Sequence, residues 1–128
     1  MAHKKIKQKA LATAKKSDVV RAKIGAILFT DAGQIVAFAN NRTFYGDKTK
    51  WTIHAEESLI AKAHKLKAKK RFGHLNVLVV RLRRSKKSSA LAKPCPRCQQ
   101  LLDEAGFSVF YTDENGQVVP LKHRKTTD

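Results

Sequence analysis

Two short motifs carry the residue types that bind a transition metal and move protons. The first is His-Ala-Glu at residues 54–56, and the second is Pro-Cys-Pro-Arg-Cys at residues 94–98. Imidazole and thiolate are the protein ligands that zinc prefers. Cys95 and Cys98 stand three residues apart at a predicted helix start, so both sulfurs can face one point. The motifs therefore predict a zinc site built from one histidine and two cysteines.

Three protein ligands would leave the fourth tetrahedral position of the ion open, which is typical of catalytic rather than structural zinc. Zinc lowers the pKa of a water in that position from ~15.7 to ~7. Glu56 stands two residues after His54, where its carboxylate can take the proton of that water and pass it to a substrate. The replacement of an exocyclic amine by oxygen needs this proton transfer. We therefore expect a hydrolytic deaminase with Glu56 as the catalytic residue and His54, Cys95 and Cys98 as metal ligands.

Other interpretations of the cysteine pair stay open at this point. A Cys-x-x-Cys pair can also be a redox pair or half of a structural zinc site. A structural site needs four ligands, and a second histidine such as His64 or His74 could supply the fourth. Neither interpretation assigns a chemical role to Glu56. The helix N-terminus is also expected to favour the thiolate form of the cysteines, as metal binding requires.

Apolar periodicity and turn residues predict the elements that position these motifs. Helical spacing predicts helices over residues 4–16, 54–70 and 94–106. Short apolar runs predict strands over residues 24–29, 34–39, 75–82, 107–111 and 117–121. Residues 115–116 are Asn-Gly, which predicts an antiparallel hairpin between the last two strands. Residues 40–53 are polar and aromatic and are predicted to form a loop.

The order α-β-β-α-β-α-β-β predicts an α/β fold, a three-layer α/β/α sandwich around a mixed five-stranded sheet. The length of 128 residues fits one domain, with residues 1–3 and 122–128 expected to fray. No apolar run approaches the roughly 18 residues of a membrane span. The two cysteines do not make a disulfide framework. We therefore expect a cytoplasmic protein that does not associate with a membrane.

The two motifs match the His-x-Glu and Pro-Cys-x-x-Cys signature, and the chain closely resembles the cytidine deaminase superfamily. The resemblance covers residues 4–121, although only the motifs are specific. It implies a cytidine deaminase-like fold, bound Zn²⁺, and hydrolysis of cytosine to uracil. By position it implies that Asn41, or its neighbour Asn40, holds the substrate sugar. It also implies substrate or water contacts from the backbone at Pro94 and from Ala55 in the first motif.

The charge of the chain indicates an anionic substrate. Lysine and arginine total 27 against 10 acidic residues, a formal net charge of +17. No acidic residue occurs between Glu57 and Asp103. A basic run before the second motif could follow a phosphodiester backbone, and the contacts predicted there are Arg81, Arg83, Arg84, Lys86 and Lys87. Cytosine in single-stranded DNA or RNA is therefore the favoured substrate.

Further substrate contacts are expected in the segment before His54. Tyr45 and Trp51 can stack on a base, although packing in the core is the alternative for both. Arg42 can pair with a phosphate. The antiparallel last strand instead favours a free nucleoside as the substrate, because this strand direction resembles that in free-nucleoside cytidine deaminases. Two alternatives therefore stay open: a free cytidine, deoxycytidine or (d)CMP deaminase, and a non-catalytic zinc domain that binds nucleic acid. The resemblance also implies a homo-oligomer.

Overall fold

A computed structural model describes residues 3–19, 22–45, 50–82 and 89–121, without the side chains of residues 3, 44–45, 50–51 and 89–90. The helices are α1 (His3–Lys15), α2 (Ala55–Leu66), α3 (Ala68–Phe72) and α4 (Pro96–Glu104). The strands are β1 (Lys23–Thr30), β2 (Ile35–Asn40), β3 (Arg42–Tyr45), β4 (Lys50–Ile53), β5 (Leu75–Leu82), β6 (Ser89–Ala90), β7 (Ser108–Thr112) and β8 (Val118–Pro120). Within the described ranges, no helix combines the length and apolarity needed to cross a bilayer.

The main sheet has the order β2-β1-β5-β7-β8, and the two-residue strand β6 pairs with the end of β5. Strand β1 is antiparallel to β2 and β5, whereas β5 and β7 are parallel. Strands β7 and β8 pair antiparallel, as the Asn-Gly turn predicts, and Gly116 takes a φ of 78° in that turn. The predicted mixed five-stranded sheet is therefore confirmed, with β6 as an addition.

Helices cover both faces of the sheet and enclose two apolar clusters. The apolar side of α1 packs on one face, and its cluster consists of Ile6, Ala10, Ala14, Ile27, Phe29, Leu78 and Val80. Residues of α2 and α4 pack on the other face with alternate residues of β1, β5 and β7. Six consecutive residues of β5, from Leu75 to Val80, are buried, as expected for a central strand covered on both sides. The three-layer prediction is confirmed.

The predicted loop over residues 40–53 is wrong in part, because the structure contains a second, two-stranded sheet there. Strands β3 and β4 pair antiparallel, with Arg42 opposite Ile53 and Tyr45 opposite Lys50. Threonine, aromatic and β-branched residues, which favour strands, occupy residues 43–45 and 51–53. The polar composition of residues 40–53 as a whole led to the prediction of a loop despite this strand preference. The hairpin leads the chain from the end of β2 to the first motif.

The single helix predicted over residues 54–70 is divided in the structure. Lys67 adopts a left-handed conformation with a φ of 52°, which ends α2 and begins the short helix α3. No glycine or proline marks this break in the sequence, so helical periodicity alone could not place it. At the N-terminus, α1 begins at His3, one of the residues expected to fray. Residues 1–2 and 122–128, also expected to fray, lie outside the described residues.

Helix α1 approaches β1 so closely that only glycine fits at position 25. A Cβ added to Gly25 would lie 2.4 Å from the carbonyl oxygen of Ala10 and 2.8 Å from the backbone nitrogen of Ala14. We expect Gly25→Ala to lower the free energy of unfolding by about 1–3 kcal/mol, because the helix must move off the sheet. Chemical denaturation measures this change. Ala12→Ser, on the exposed side of α1, should stay within about 0.5 kcal/mol of the unsubstituted protein. An equal loss in both variants would contradict the close packing.

Candidate active site

The N-termini of α2 and α4 bring the two motifs together. His54 is the N-cap of α2, with an extended backbone at φ −71° and ψ 146°. Cys95 is the N-cap of α4, and Pro96 occupies the first turn, where its missing N–H costs no helical hydrogen bond. Cys98 lies one turn into α4 and is fully buried, whereas Cys95 is exposed. The helix starts therefore place one imidazole and two thiols at one point.

The geometry of this group fits a zinc ion. One ligand atom each from His54, Cys95 and Cys98 lie within 4.8 Å of one another, and Nδ1 of His54 is 3.2 Å from Sγ of Cys98. Bond lengths of about 2.0–2.1 Å to nitrogen and 2.3 Å to sulfur separate tetrahedral ligands by roughly 3.3–3.8 Å. Across the described part of the chain, this is the only such group of three or more histidine, cysteine or acidic residues. His54, Cys95 and Cys98 are thus positioned as ligands of the zinc cofactor.

Neither of the histidines considered for a fourth ligand belongs to the group. His74 instead bonds through Nδ1 to Asp31 and through Nε2 to Ser108, each at 2.9 Å. These bonds join the end of β1 to the starts of β5 and β7. Hydrogen bonds from Asn76 and His74 lower the pKa of Asp31. His64 lies near the other end of α2. The four-ligand structural site is therefore not formed by these residues.

Glu56 lies beside the ligand group with only 4 % of its surface exposed. Burial raises the pKa of its carboxyl, and the backbone N–H and His54 oppose this rise. Such a carboxyl is a better proton acceptor than a solvated glutamate. The carboxyl of Glu56 is therefore suited to hold and release a proton.

The expectation that the helix N-terminus favours thiolate is wrong for Cys98. Burial raises the pKa of the Cys98 thiol, and the negative charge of Glu56 raises it further. The desolvation of a fully buried sulfur outweighs the partial positive charge of the helix end. Deprotonation of Cys98 therefore has to accompany the arrival of a cation, which is a common coupling in metal sites.

Glu57 joins the two motifs, and the sequence analysis did not identify it. Its Oε1 accepts a hydrogen bond from the backbone N–H of His54 at 3.1 Å. Its Oε2 lies 3.0 Å from the guanidinium of Arg97, between the two cysteines. Glutamate three residues after an N-cap is a capping-box signal that could have revealed the first contact. Glu57 therefore links the starts of α2 and α4 through one hydrogen bond and one ion pair.

A cavity of about 310 Å³ opens beside the ligand group. Four residues predicted to lie in the site, His54, Glu56, Asn41 and Cys95, line it together with the predicted contacts Arg81 and Pro94. The cavity also contains residues that the sequence analysis did not identify, namely Val19, Ala22, Ile24, Thr52, Leu91, Ala92 and Lys93. Its volume is at the lower end of the range for small-molecule sites.

Several other predicted contacts do not line this cavity. Asn40 donates a hydrogen bond from Nδ2 to the carbonyl of Thr13 in α1, so it lies on the opposite face of the sheet. Ala55 is fully buried in the core between α2 and the sheet, and Arg42 is exposed on β3. The side chains of Tyr45 and Trp51 lie outside the described residues, as do Arg83, Arg84, Lys86 and Lys87. Of the two asparagines, Asn41 lines the cavity, whereas Asn40 contacts α1.

Asn41 is held by the chain that surrounds it. Its Oδ1 accepts a hydrogen bond from the backbone N–H of Ile24 at 2.9 Å and lies 2.6 Å from Oγ of Ser17. Its Nδ2 donates to the carbonyl of Ala22 at 2.6 Å. The amino group carries two hydrogens, and this bond uses one of them. The amide is therefore fixed in orientation at the wall of the cavity.

Comparison with known proteins agrees with this arrangement. Residues 1–113 match the family model described as the cytidine and deoxycytidylate deaminase zinc-binding region. No curated protein matches the chain at a significant level.

Solved structures share the fold at low sequence identity. A cytidine deaminase from Burkholderia pseudomallei has a TM-score of 0.66 and 23% identity over 95% of this chain and 93% of that chain. A cytidine deaminase from Mycobacterium leprae has a TM-score of 0.59 and 22% identity over 89% and 88%. A dCMP deaminase from the cyanophage S-TIM5, in complex with dCMP and dUMP, has a TM-score of 0.55 and 23% identity over 86% and 82%. The chain therefore belongs to the cytidine and deoxycytidylate deaminases, zinc-dependent enzymes that hydrolyse the exocyclic amine of a nucleobase.

Proposed function

We propose that this chain converts the cytosine of a free nucleoside monophosphate to uracil. One observation carries the proposal: the cavity that contains His54 and Glu56 also contains the cationic side chains Arg81 and Lys93. The solved structures that it resembles include cytidine deaminases and a dCMP deaminase with dCMP and dUMP bound. The likeness to these structures supports a free nucleoside or nucleotide as the substrate class. The two cations support a substrate that carries a phosphate.

In this proposal, His54, Cys95 and Cys98 hold the zinc ion. Zinc, when bound, supplies a Lewis acid that makes water a nucleophile near neutral pH. The oxygen of the water bonds to C4 of cytosine. Glu56 carries one proton of the water to ring nitrogen N3 and the other to the amine, which leaves as ammonia. Each cytosine and water thus give one uracil and one ammonia.

The walls of the cavity suit the other parts of a nucleotide. Ile24, Leu91 and Ala92 give it an apolar portion against which a base can pack. The fixed amide of Asn41 and the hydroxyl of Thr52 offer polar contacts to a sugar. Arg81 and Lys93 are both exposed, which suits contact with a phosphate that remains partly solvated. Glu56 is the only acidic residue among the described residues that line the cavity.

The two cations predict a substrate preference. We expect Arg81→Gln and Lys93→Gln together to raise KM for dCMP by about tenfold, because two charge-assisted phosphate contacts are lost. KM for deoxycytidine, which has no phosphate, should change by less than about twofold. Steady-state release of ammonia measures both constants. Lys4→Gln with Lys5→Gln on the exposed side of α1 removes the same charge on the opposite face of the sheet and should leave both constants unchanged. An equal rise for dCMP and deoxycytidine would contradict a phosphate contact.

A second candidate substrate is cytosine in single-stranded DNA or RNA. The net charge of +17 favours contact with a polyanion. The run that contains Arg83, Arg84, Lys86 and Lys87 connects Leu82 to Ser89, which pair with each other where β5 meets β6. Arg81, which lines the cavity, immediately precedes this connection.

Competition between substrates tests the proposal. Cytidine, dCMP and a single-stranded oligonucleotide with one cytosine are incubated with the protein over a salt series, and uracil is measured. The proposal expects turnover of dCMP above the others. Oligonucleotide turnover that falls steeply with salt would instead support the second candidate, because binding weakens by about 0.7 log units per log unit of salt for each phosphate contacted. No deamination of any of the three would overturn the proposed function.

A further inference from the structure

A second cavity of about 270 Å³ lies at the other end of α2 from the zinc ligands. It is bounded by the last turn of α2, by α3, by the end of α4 and by the residue before β7. The lining residues are Ile60, Ala63, His64, Lys67, Ala68, Lys69, Lys70, Ala105 and Phe107. With a rise of 1.5 Å per residue, the residues of α2 that line this cavity lie roughly 6–12 Å from Glu56 along the helix. The two cavities share no lining residue.

The floor of this second cavity is apolar and fixed. Ala63, Ala68 and Phe107 are at most 7 % exposed and belong to the core cluster between the helices and the sheet. Ile60 packs against the same cluster and is partly buried. A cavity of ~150 Å³ lined by apolar residues is large enough to bind benzene. The second cavity can therefore admit a substituted aromatic ring.

The rim of the cavity is cationic. Lys67, Lys69 and Lys70 are exposed around the opening, together with His64. Lys67 is the residue in the left-handed conformation, so the turn between α2 and α3 places three lysines within four positions at one edge. No acidic residue lines the cavity among the described residues, and the nearest carboxylates in sequence are Asp103 and Glu104 on α4.

Lys69 also reaches over the cavity toward the end of α4. Its Nζ lies 3.4 Å from the carbonyl oxygen of Ala105. A Cβ added at Gly106 would lie 2.5 Å from the same ammonium group. The ammonium therefore lies beside Gly106, which leaves room for it, at the edge of the cavity formed by the end of α4. Lys69 thus brings a cation to the α4 end of the cavity, and Lys67 lies at the turn between α2 and α3.

From the buried apolar floor and the cationic rim, we infer that this cavity binds an organic anion, with an aromatic or aliphatic body on Phe107 and Ile60 and a phosphate or carboxylate on the lysines. Burial of the apolar body on the cavity floor makes the free energy of binding more favourable. The anionic group stays at the exposed rim, where it keeps part of its hydration. A simple inorganic anion would leave the floor uncovered, so the body contributes to affinity. The inference does not depend on the substrate of the first cavity.

Three naphthalene compounds test the inference and separate the two anion types: 1-naphthyl phosphate, 1-naphthoate and neutral 1-naphthol. Binding is measured by the fluorescence of the probe, and its place by amide chemical shifts of the unsubstituted protein. We expect saturable binding of at least one anionic probe, with 1-naphthol weaker by about tenfold, and the largest shifts in residues 60–70 and 105–107. Shifts confined to the residues around His54 and Arg81 would overturn the inference. Absence of saturable binding by either anion would overturn it as well.

Two charge-matched variants give a second readout. Lys67→Gln, Lys69→Gln and Lys70→Gln together should raise the dissociation constant of the anionic probe by about tenfold. Lys4→Gln, Lys5→Gln and Lys15→Gln remove the same charge from the exposed side of α1 and should change it by less than about twofold. Equal weakening in both triple variants would show that net charge alone attracts the probe. Zinc content should be the same in both variants, which checks that each has folded.

Discussion

Replacing Glu56 by glutamine is expected to lower kcat for cytosine deamination by about 10²- to 10⁴-fold while the protein keeps its zinc. The substitution preserves the size of a side chain that is only 4 % exposed, so the cavity and the ligand group should stay intact. It removes the group that accepts and returns protons, and general acid–base catalysis contributes about that factor. The folded state should not lose stability, because the neutral amide avoids the cost that burial places on the carboxylate.

Glu57 provides the matched control for this prediction, since it is the adjacent carboxylate and does not line the cavity. In Glu57→Gln, the amide oxygen can still accept the N–H of His54, and the ion pair with Arg97 is lost. That variant should retain kcat within about tenfold, because an ion pair whose guanidinium is largely solvated contributes little. Ammonia release measures kcat of both variants, and metal analysis measures their zinc content. If Glu56→Gln keeps more than a tenth of the original kcat, Glu56 is not the proton carrier.

Replacing Cys98 by serine should abolish stoichiometric zinc binding and with it the stabilisation that zinc gives. Cys98 is fully buried and its sulfur lies 3.2 Å from Nδ1 of His54, so a serine hydroxyl leaves the site with two good ligands. A ligand that binds only the folded state stabilises it by about 4 kcal/mol when its free concentration is about 1,000 times its dissociation constant. The unsubstituted protein should therefore melt at a higher temperature with zinc than after chelation.

Thermal denaturation with and without zinc measures this difference in each variant. Cys98→Ser should melt at the same temperature in both conditions, close to that of the chelated original protein. His64→Gln is the matched control, because it removes a histidine of α2 that lies outside the ligand group. That variant should respond to zinc as the original protein does. A zinc response that survives in Cys98→Ser but disappears in His64→Gln would mean that the ligand set is wrong.

The parts of this fold that the sequence predicts well are those in which local pattern and burial agree. The apolar run of β5 marks a strand covered on both sides, and Asn115-Gly116 marks the final hairpin. The two motifs identify the ligand group because the spacing of Cys95 and Cys98 is itself a helical geometry. These features depend on neighbours in sequence, which is why periodicity and turn chemistry recover them.

Features that depend on tertiary contacts were harder to predict. The hairpin of β3 and β4 has a polar composition, and the left-handed turn at Lys67 carries no glycine. Arg97 was assigned no role in the sequence, because its ion pair depends on Glu57 of another helix. Lys93 was counted only as part of the basic charge, although it lines the cavity with Arg81. Asn41 was favoured over Asn40 in the sequence, and the alternation of Ala37 and Ala39 toward α2 does place Asn40 on the other face.

X-ray absorption at the zinc edge of the purified protein tests the central claim most directly. The arrangement of His54, Cys95 and Cys98 predicts one zinc per chain with two sulfur neighbours at about 2.3 Å and nitrogen or oxygen neighbours at about 2.0–2.1 Å. In Cys98→Ser, the same measurement should find no stoichiometric zinc. A zinc ion with four sulfur or with no sulfur neighbours, or a protein that binds no zinc at all, would contradict the account.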